Sequence, residues 1–260
     1  MFEKYGFLGS QIESFKKENH QQQSQLFSIA FRVLETSYLQ LKKLNIDQYN
    51  KKDALIGSLF CKIIDSYNSI LLLSNSGLLS DSKSILRVFI EAAFLFGSLI
   101  HNDEQYEQFL IKGDYETLNL IKRIIKNPNE YSEEIKNEVA NKDLEELTSI
   151  ALQYKKNSFL VGNIAKDAGM NDVYFHVYHS LCKDVHTNVK SLFSYIKQKD
   201  DCIESIDILP KYKDQEYVLV SAVWILIRTI KNLNYYFNCN GDDSIEEIER
   251  ELKPYMNHEL

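Results

Sequence analysis

The chain of 260 residues has little of what bends or breaks a backbone, with three prolines and nine glycines. So small a supply of turn residues argues against many short strands and for long helices. Cysteine is equally sparse. Cys61, Cys182, Cys202 and Cys239 fall in no paired spacing, which excludes a disulfide framework. Three of them lie in helical patterns and read as reduced core thiols. A basic excess is missing too: the net charge is −7, so the chain is no general nucleic-acid coat, and any nucleic acid must meet a local pocket. No run of about 18 uncharged apolar residues occurs. The nearest, residues 218–227, stops at Arg228. Residues 1–40 are polar and lack the apolar segment of a secretory signal. The expectation is a cytoplasmic protein with no membrane partner. A phosphate-cradling glycine loop, a nucleophile elbow and an HExxH motif are all lacking.

What is present is helical periodicity. Residues 25–44 repeat apolar side chains at helical spacing (Leu26, Ile29, Ala30, Val33, Leu34) after a polar run, 16–25, that reads as helical or frayed. Residues 53–74 form a second helix, closed by Asn75-Ser76-Gly77. A third, capped by Ser80 or Asp81, runs to about His101; it is apolar on nearly all sides and so belongs in a core. Asn102-Asp103 opens a fourth, more polar helix that Asn127-Pro128-Asn129 ends. Residues 131–154 give one or two short charged helices with Asp143 as an internal cap, and 127–156 reads as an insertion on one bundle. Residues 157–170 are a loop with a helical turn, packed over the neighbouring helices. Asn171 or Asp172 caps a helix to about Lys197, a loop covers 199–214, a long apolar helix spans 216–239 up to Asn240-Gly241, and 244–256 is an amphipathic last helix. No strand-like alternation of useful length is seen. The expected fold is all-α: a bundle of long helices in one domain, 1–260, with a core over about 25–240, an N-terminal helical extension 1–24 and a C-terminal helix 244–256.

Two groups of residues carry chemistry. Arg87 and Glu91 are four apart in the apolar third helix and share one face. Burying either charge alone costs several kcal/mol, so they must pair or meet a ligand. One reading is a salt bridge, to each other or with Arg228. The other is an anion-recognising arginine oriented by a glutamate, since the guanidinium fork suits phosphate oxygens. Further on, Tyr178, Leu181, Val185 and Leu192 form a core stripe, and His179, Cys182 and His186 lie beside it. Those three have zinc-ligand spacing, but no CxxC or second histidine pair completes a site, so no metal is expected. His186 is the candidate general acid or base, imidazole being the side chain that titrates near neutrality unaided. The acidic stretch 242–251 reads as a solvated face, and Tyr235-Tyr236-Phe237 as core or an oligomer contact.

Three blocks then come together: Gly77 to Ser82 leading into Leu86-Arg87-Val88-Phe89-Ile90-Glu91-Ala92; Ile164 to Met170; and Tyr178-His179-Ser180-Leu181-Cys182-Lys183-Asp184-Val185-His186. In their order and spacing they resemble the bacterial domain-of-unknown-function family 5677, with its R-x-x-x-E helix and later Y-x-x-L-x-x-x-V-H helix, over roughly residues 53–196. The resemblance implies an all-α bundle with Arg87, Glu91, His186 and Tyr178 as its polar positions. The family looks distantly similar to HEPN-type helical domains, many of which are metal-independent ribonucleases of toxin and antiphage systems. This implies a HEPN-like core with added N- and C-terminal helices. Such enzymes carry R-x(4–6)-H on one helix, and no arginine here has that partner. The ribonuclease expectation therefore requires Arg87 and His186 to converge from different helices. His186 would move the proton of a ribose 2′-hydroxyl, Arg87 would stabilise charge on phosphorus, and Glu91 would orient Arg87. Tyr178, His179 and Asn188 would bind substrate. No cofactor is implied. The partners expected are RNA or a nucleotide in a local pocket, a second copy in a homodimer, and a protein partner. The alternative is a non-catalytic helical module that binds a nucleotide-like anion or a protein. A third reading makes Arg87, Glu91 and His186 one buried structural network.

Overall fold

The computed structural model describes residues 6–140, 143–185, 189–199, 202–206, 208–212, 214–239 and 243–259. The order is α1 (Gln11–Gln22), α2 (Ser24–Lys43), α3 (Lys51–Asn75), α4 (Leu79–His101), α5 (Asp103–Lys126), α6 (Glu133–Ala140), α7 (Leu144–Ala151) and α8 (Val161–Asp167). Then follow α9 (Asn171–Val173), a π-helical turn (Tyr174–Tyr178), α10 (His179–Val185), α11 (Val189–Leu192), the strands β1 (Ile196–Lys199) and β2 (Cys202–Ile206), α12 (Gln215–Tyr236) and α13 (Asp243–Glu259). The protein is an all-α bundle with one small antiparallel hairpin.

The α3–α4 hairpin is the frame of the bundle. Asn50 starts α3 by accepting the Lys52 and Asp53 N–H groups at 3.0 and 3.2 Å. Gly77, at φ +72°, ends it: its N–H and that of Leu78 reach back to the Ser74 and Leu73 carbonyls at 3.0 and 2.9 Å. The chain reverses and α4 returns antiparallel, with Phe96 against Phe60 (5.9 Å between ring centroids) and Phe89 against Tyr67 (6.0 Å). α4 lies at the centre, touching α3, α5, α8, α10 and α12. Its apolar circumference explains that position, since only a helix surrounded by others buries Leu86, Phe89, Ile90, Phe94 and Phe96 together. Gly97 lets α8 approach closely, because a Cβ there would stand 2.7 Å from the Ala168 Cβ. Asn19 and Gln215 both donate their side-chain amides to the Ser74 carbonyl, at 3.2 and 3.1 Å, tying α1 and α12 to the end of α3.

Several expectations change. α4 starts one residue before Ser80 with Leu78 at the cap position and no side-chain cap, so Ser80 and Asp81 sit inside its first turn. The cap of the helix after 170 falls at Met170, not Asn171 or Asp172. The single helix expected to Lys197 is broken into a π turn and shorter helices, and its last residues enter β1. β1 and β2 pair across 196–206, where a helix end and a loop were expected. α12 stops at Tyr236, with Asn238 in a left-handed conformation, before the expected Asn240-Gly241 stop, which lies outside the described residues. Cys61 and Cys202 are exposed and Cys182 and Cys239 only partly buried, so the thiols are not core. Leu192, at 50% exposure, leaves the core stripe that Tyr178 and Leu181 do join. Val218, Ile225 and Leu233 of α12 are buried within the chain itself. The apolar side chains left outside include Ile203 and Ile206 of the hairpin. α3 and α4 are long and apolar enough to cross a membrane by length and composition, and here their buried faces form the core of the bundle.

The insertion over 127–156 docks through α7 on α5. Asp143 caps α7 as expected, accepting the Glu145 and Glu146 N–H groups at 3.0 Å each. The buried Gln108 of α5 holds the exit of the insertion through the Gln153 carbonyl and the Lys155 N–H.

Candidate functional site

Arg87 and Glu91 lie one turn apart on α4, on the side that faces the π turn and α10. The Arg87 Nε donates to Glu91 Oε1 at 3.2 Å, and Nη2 donates to the Tyr178 hydroxyl at 3.0 Å. That hydroxyl in turn donates to Glu91 Oε1 at 2.8 Å, which closes a ring of three groups. The guanidinium also stands over the tyrosine ring, 5.1 Å from its centroid.

The local fold explains why Tyr178 arrives there. Residues 174–178 form a π-helical turn, which widens the helix and leaves Tyr178 stacked on Tyr174 at 5.6 Å and packed on Phe94 at 6.1 Å. π turns of this kind recur at functional sites. Phe94 meets Tyr174 and Tyr178 while Arg87 meets Tyr178, so the helix runs antiparallel to α4. The Cys182 thiol, one turn on, donates to the Tyr178 carbonyl at 3.4 Å.

The electrostatics follow from burial. Tyr178 is 5% exposed. Burial, reinforced by the hydrogen bond to the Glu91 carboxylate, pushes its hydroxyl up to about 12 from the usual 10.0, against the opposing pull of Arg87. The phenol therefore stays protonated at neutral pH and acts as a donor to Glu91. The two charged side chains keep an outer edge in solvent, 19% for Arg87 and 43% for Glu91. The cluster is a held guanidinium at the edge of the core. Such an arrangement can bind an anion without first ordering the arginine.

The structure brings together Arg87, Glu91 and Tyr178. His179 takes no part in the hydrogen bonds of that ring; it is exposed and packs its own ring on Tyr174 at 4.6 Å, on Phe175 at 6.2 Å and edge-on to Tyr178 at 6.3 Å. His186 and Asn188 lie outside the described residues. Arg228 is not the partner of Glu91. It forms a two-pronged pair with Asp172 at 2.8 and 2.7 Å, donates to the Gly169 carbonyl, and covers Trp224. Among the described residues no three histidine, cysteine, aspartate or glutamate side chains cluster to hold a metal ion.

Arg87, Glu91 and Tyr178 fall within the stretch, 53–203, that matches the model of a family described as a family of unknown function (DUF5677). The chain belongs to the DUF5677 family. No curated protein and no solved structure matches it. The DUF5677 stretch runs from α3 into β2, so it contains both halves of the cluster, the α4 pair and the tyrosine of the π turn. It leaves α12 outside, although α12 packs directly on α3 and α4 and completes their core.

Sequence reasoning missed Lys83 and Asp214, an ion pair of 3.1 Å one turn before Arg87. Lys83 was legible, since it stands four residues before Arg87 on the same helix. Asp214 was not, because nothing local in a loop says that its carboxylate crosses to α4.

Proposed function

We propose that this DUF5677 protein is a helical module that binds a phosphate-bearing, nucleotide-like ligand through Arg87. The observation that carries this is the closed ring of Arg87, Glu91 and Tyr178. A bare structural salt bridge needs only the arginine and the glutamate. Here a buried tyrosine, presented by a π turn, fixes the guanidinium from a second side while its edge stays in solvent. Holding the fork in place lowers the ordering cost of binding a phosphate. The expected result is that Arg87→Ala weakens binding of a labelled short RNA or a nucleotide by about tenfold or more, the scale of a charged hydrogen bond. Arg87→Lys should rescue only part of it, because an ammonium lacks the fork. Fluorescence anisotropy measures both. Equal affinity of wild type and Arg87→Ala would remove Arg87 from the ligand site.

A second reading is a metal-independent ribonuclease of a toxin or antiphage system. What favours it is that Glu91 orients Arg87, as transition-state stabilisation on phosphorus requires. It assigns proton transfer to His186. Incubation of the full chain with total RNA tests it: cleavage is expected for wild type and loss of it for both Arg87→Ala and His186→Ala. Cleavage at full rate in either variant counts against it. Both readings place the protein in the cytoplasm as a homodimer, which light scattering checks directly.

A further inference from the structure

One turn before Arg87, α4 borders a cavity of about 500 Å³, within the size range of small-molecule sites. Four stretches meet there: Phe7 near the N-terminus, the turn and first residues of α4, the end of α11 with the residues after it, and the segment leading into α12. The junction is built closely. The Gly77 carbonyl accepts the Lys211 N–H at 3.1 Å, and a Cβ on Gly77 would stand 2.6 Å from the Pro210 Cβ.

The lining has two characters. Leu79, Phe193 and Tyr195 give an apolar and aromatic wall. The same lining includes Lys83, Lys211, Asp81 and Asp214. Lys83 is largely withdrawn from water, its side chain 16% exposed, and lies 3.1 Å from the Asp214 carboxylate. Lys211 holds its ammonium 4.9 Å from the centre of the Tyr195 ring. Asp214 is unusual in two respects. It adopts φ +67°, a left-handed backbone uncommon outside glycine, and it stands at the cap position of α12 without capping it, its carboxylate turned to Lys83 instead. Side chains held in such conformations concentrate at ligand sites.

We propose that this cavity binds a mononucleotide unit, with the base against the aromatic wall, the ribose hydroxyls toward Asp81 and Asp214, and the phosphate at Lys83 on the side of Arg87. Charge and shape select this class. A fatty acid or other amphipathic anion satisfies the wall and the lysines but leaves two carboxylates facing a hydrocarbon. A nucleotide carries hydroxyl and amino donors for the carboxylates as well as a phosphate for the cations. Lys83 and Arg87 stand about 6 Å apart along the helix, on one face, so a phosphate at Lys83 lies next to the Arg87 cluster. This inference rests on the phosphate-ligand reading above and adds the site of the base. A free nucleotide and the end of an RNA strand share its chemistry.

Calorimetric titration of the full chain with AMP, GMP, CMP, UMP, adenosine, inorganic phosphate and a short oligoadenylate tests it. The expected result is saturable binding of at least one mononucleotide or of the oligoadenylate, tighter than about 1 mM. Ser80→Trp, which fills the cavity from the first turn of α4, abolishes that binding with an unchanged circular dichroism spectrum. Lys83→Met weakens the nucleotide by about tenfold and leaves adenosine unchanged. If Ser80→Trp misfolds, Lys83→Met alone decides, and equal nucleotide affinity in wild type and Lys83→Met overturns the proposal. No binding of any mononucleotide or of the oligoadenylate also overturns it. Binding that responds to Arg87→Ala but to neither cavity variant sinks the cavity and keeps the Arg87 reading. Binding that responds to the cavity variants but not to Arg87→Ala does the reverse.

Discussion

At Tyr178 one hydroxyl serves a cation and an anion at once, accepting from Arg87 and donating to Glu91. Tyr178→Phe keeps the ring and its packing on Phe94 but deletes both bonds. The expected cost is about 1–3 kcal/mol, since hydrogen bonds to charged groups sit at the upper end of the usual range. Urea unfolding measures it, and no change in midpoint would mean that solvent already satisfies the pair. The tyrosine also gives a pH signature. Its folded value of about 12 lies above the ordinary 10.0, so its contribution is whole below about pH 10 and is lost as the pH rises toward 12. The wild type should therefore lose stability across that window faster than Tyr178→Phe, and comparing the two cancels the other tyrosines. Arg87 and Glu91 were legible as charges in an apolar helix. Tyr178 was legible as a polar side chain on a core stripe. His179 packs beside Tyr178 without joining its hydrogen bonds, and the π turn that sets which residues share a face leaves no trace in spacing alone.

Among the elements, the long helices were readable because their burial is periodic and their ends carry chemistry, such as Asn102 and Gly77. The β1–β2 hairpin was not. Residues 196–199 continue a helical pattern, and both strands are mostly exposed, so no buried face imposes an alternation. The α4–α8 contact was also invisible, since a glycine inside a helix does not announce its neighbour. Gly97 supplies the prediction at this scale. A valine there drives its first carbon to 2.7 Å from the Ala168 Cβ and 3.1 Å from its Cα, and backbone must shift. The expected loss is about 1–3 kcal/mol, typical of overpacking, read as a fall in melting temperature. Gly113→Val is the control, because a Cβ there meets nothing within 4 Å. Equal losses in both variants would assign the effect to helix propensity instead of the α8 contact.

For the molecule as a whole, the net charge of −7 limits how nucleic acid can be held. A protein that coats RNA neutralises many phosphates, and its affinity falls steeply with salt. A protein that grips one or two phosphates through Lys83 and Arg87 behaves differently. Each neutralised phosphate of a single strand contributes about −0.7 to the slope of log affinity against log salt. Two contacts predict a slope between about −1 and −2 for a short RNA, and Arg87→Ala should reduce its magnitude by a little under one. Anisotropy titrations across a salt series provide the slope. A value steeper than about −4 would demand an extended basic surface, and the acidic balance of this chain argues against one. The slope thus separates a local pocket from a general electrostatic attraction, whatever the sequence of the RNA, because it counts phosphates and not bases.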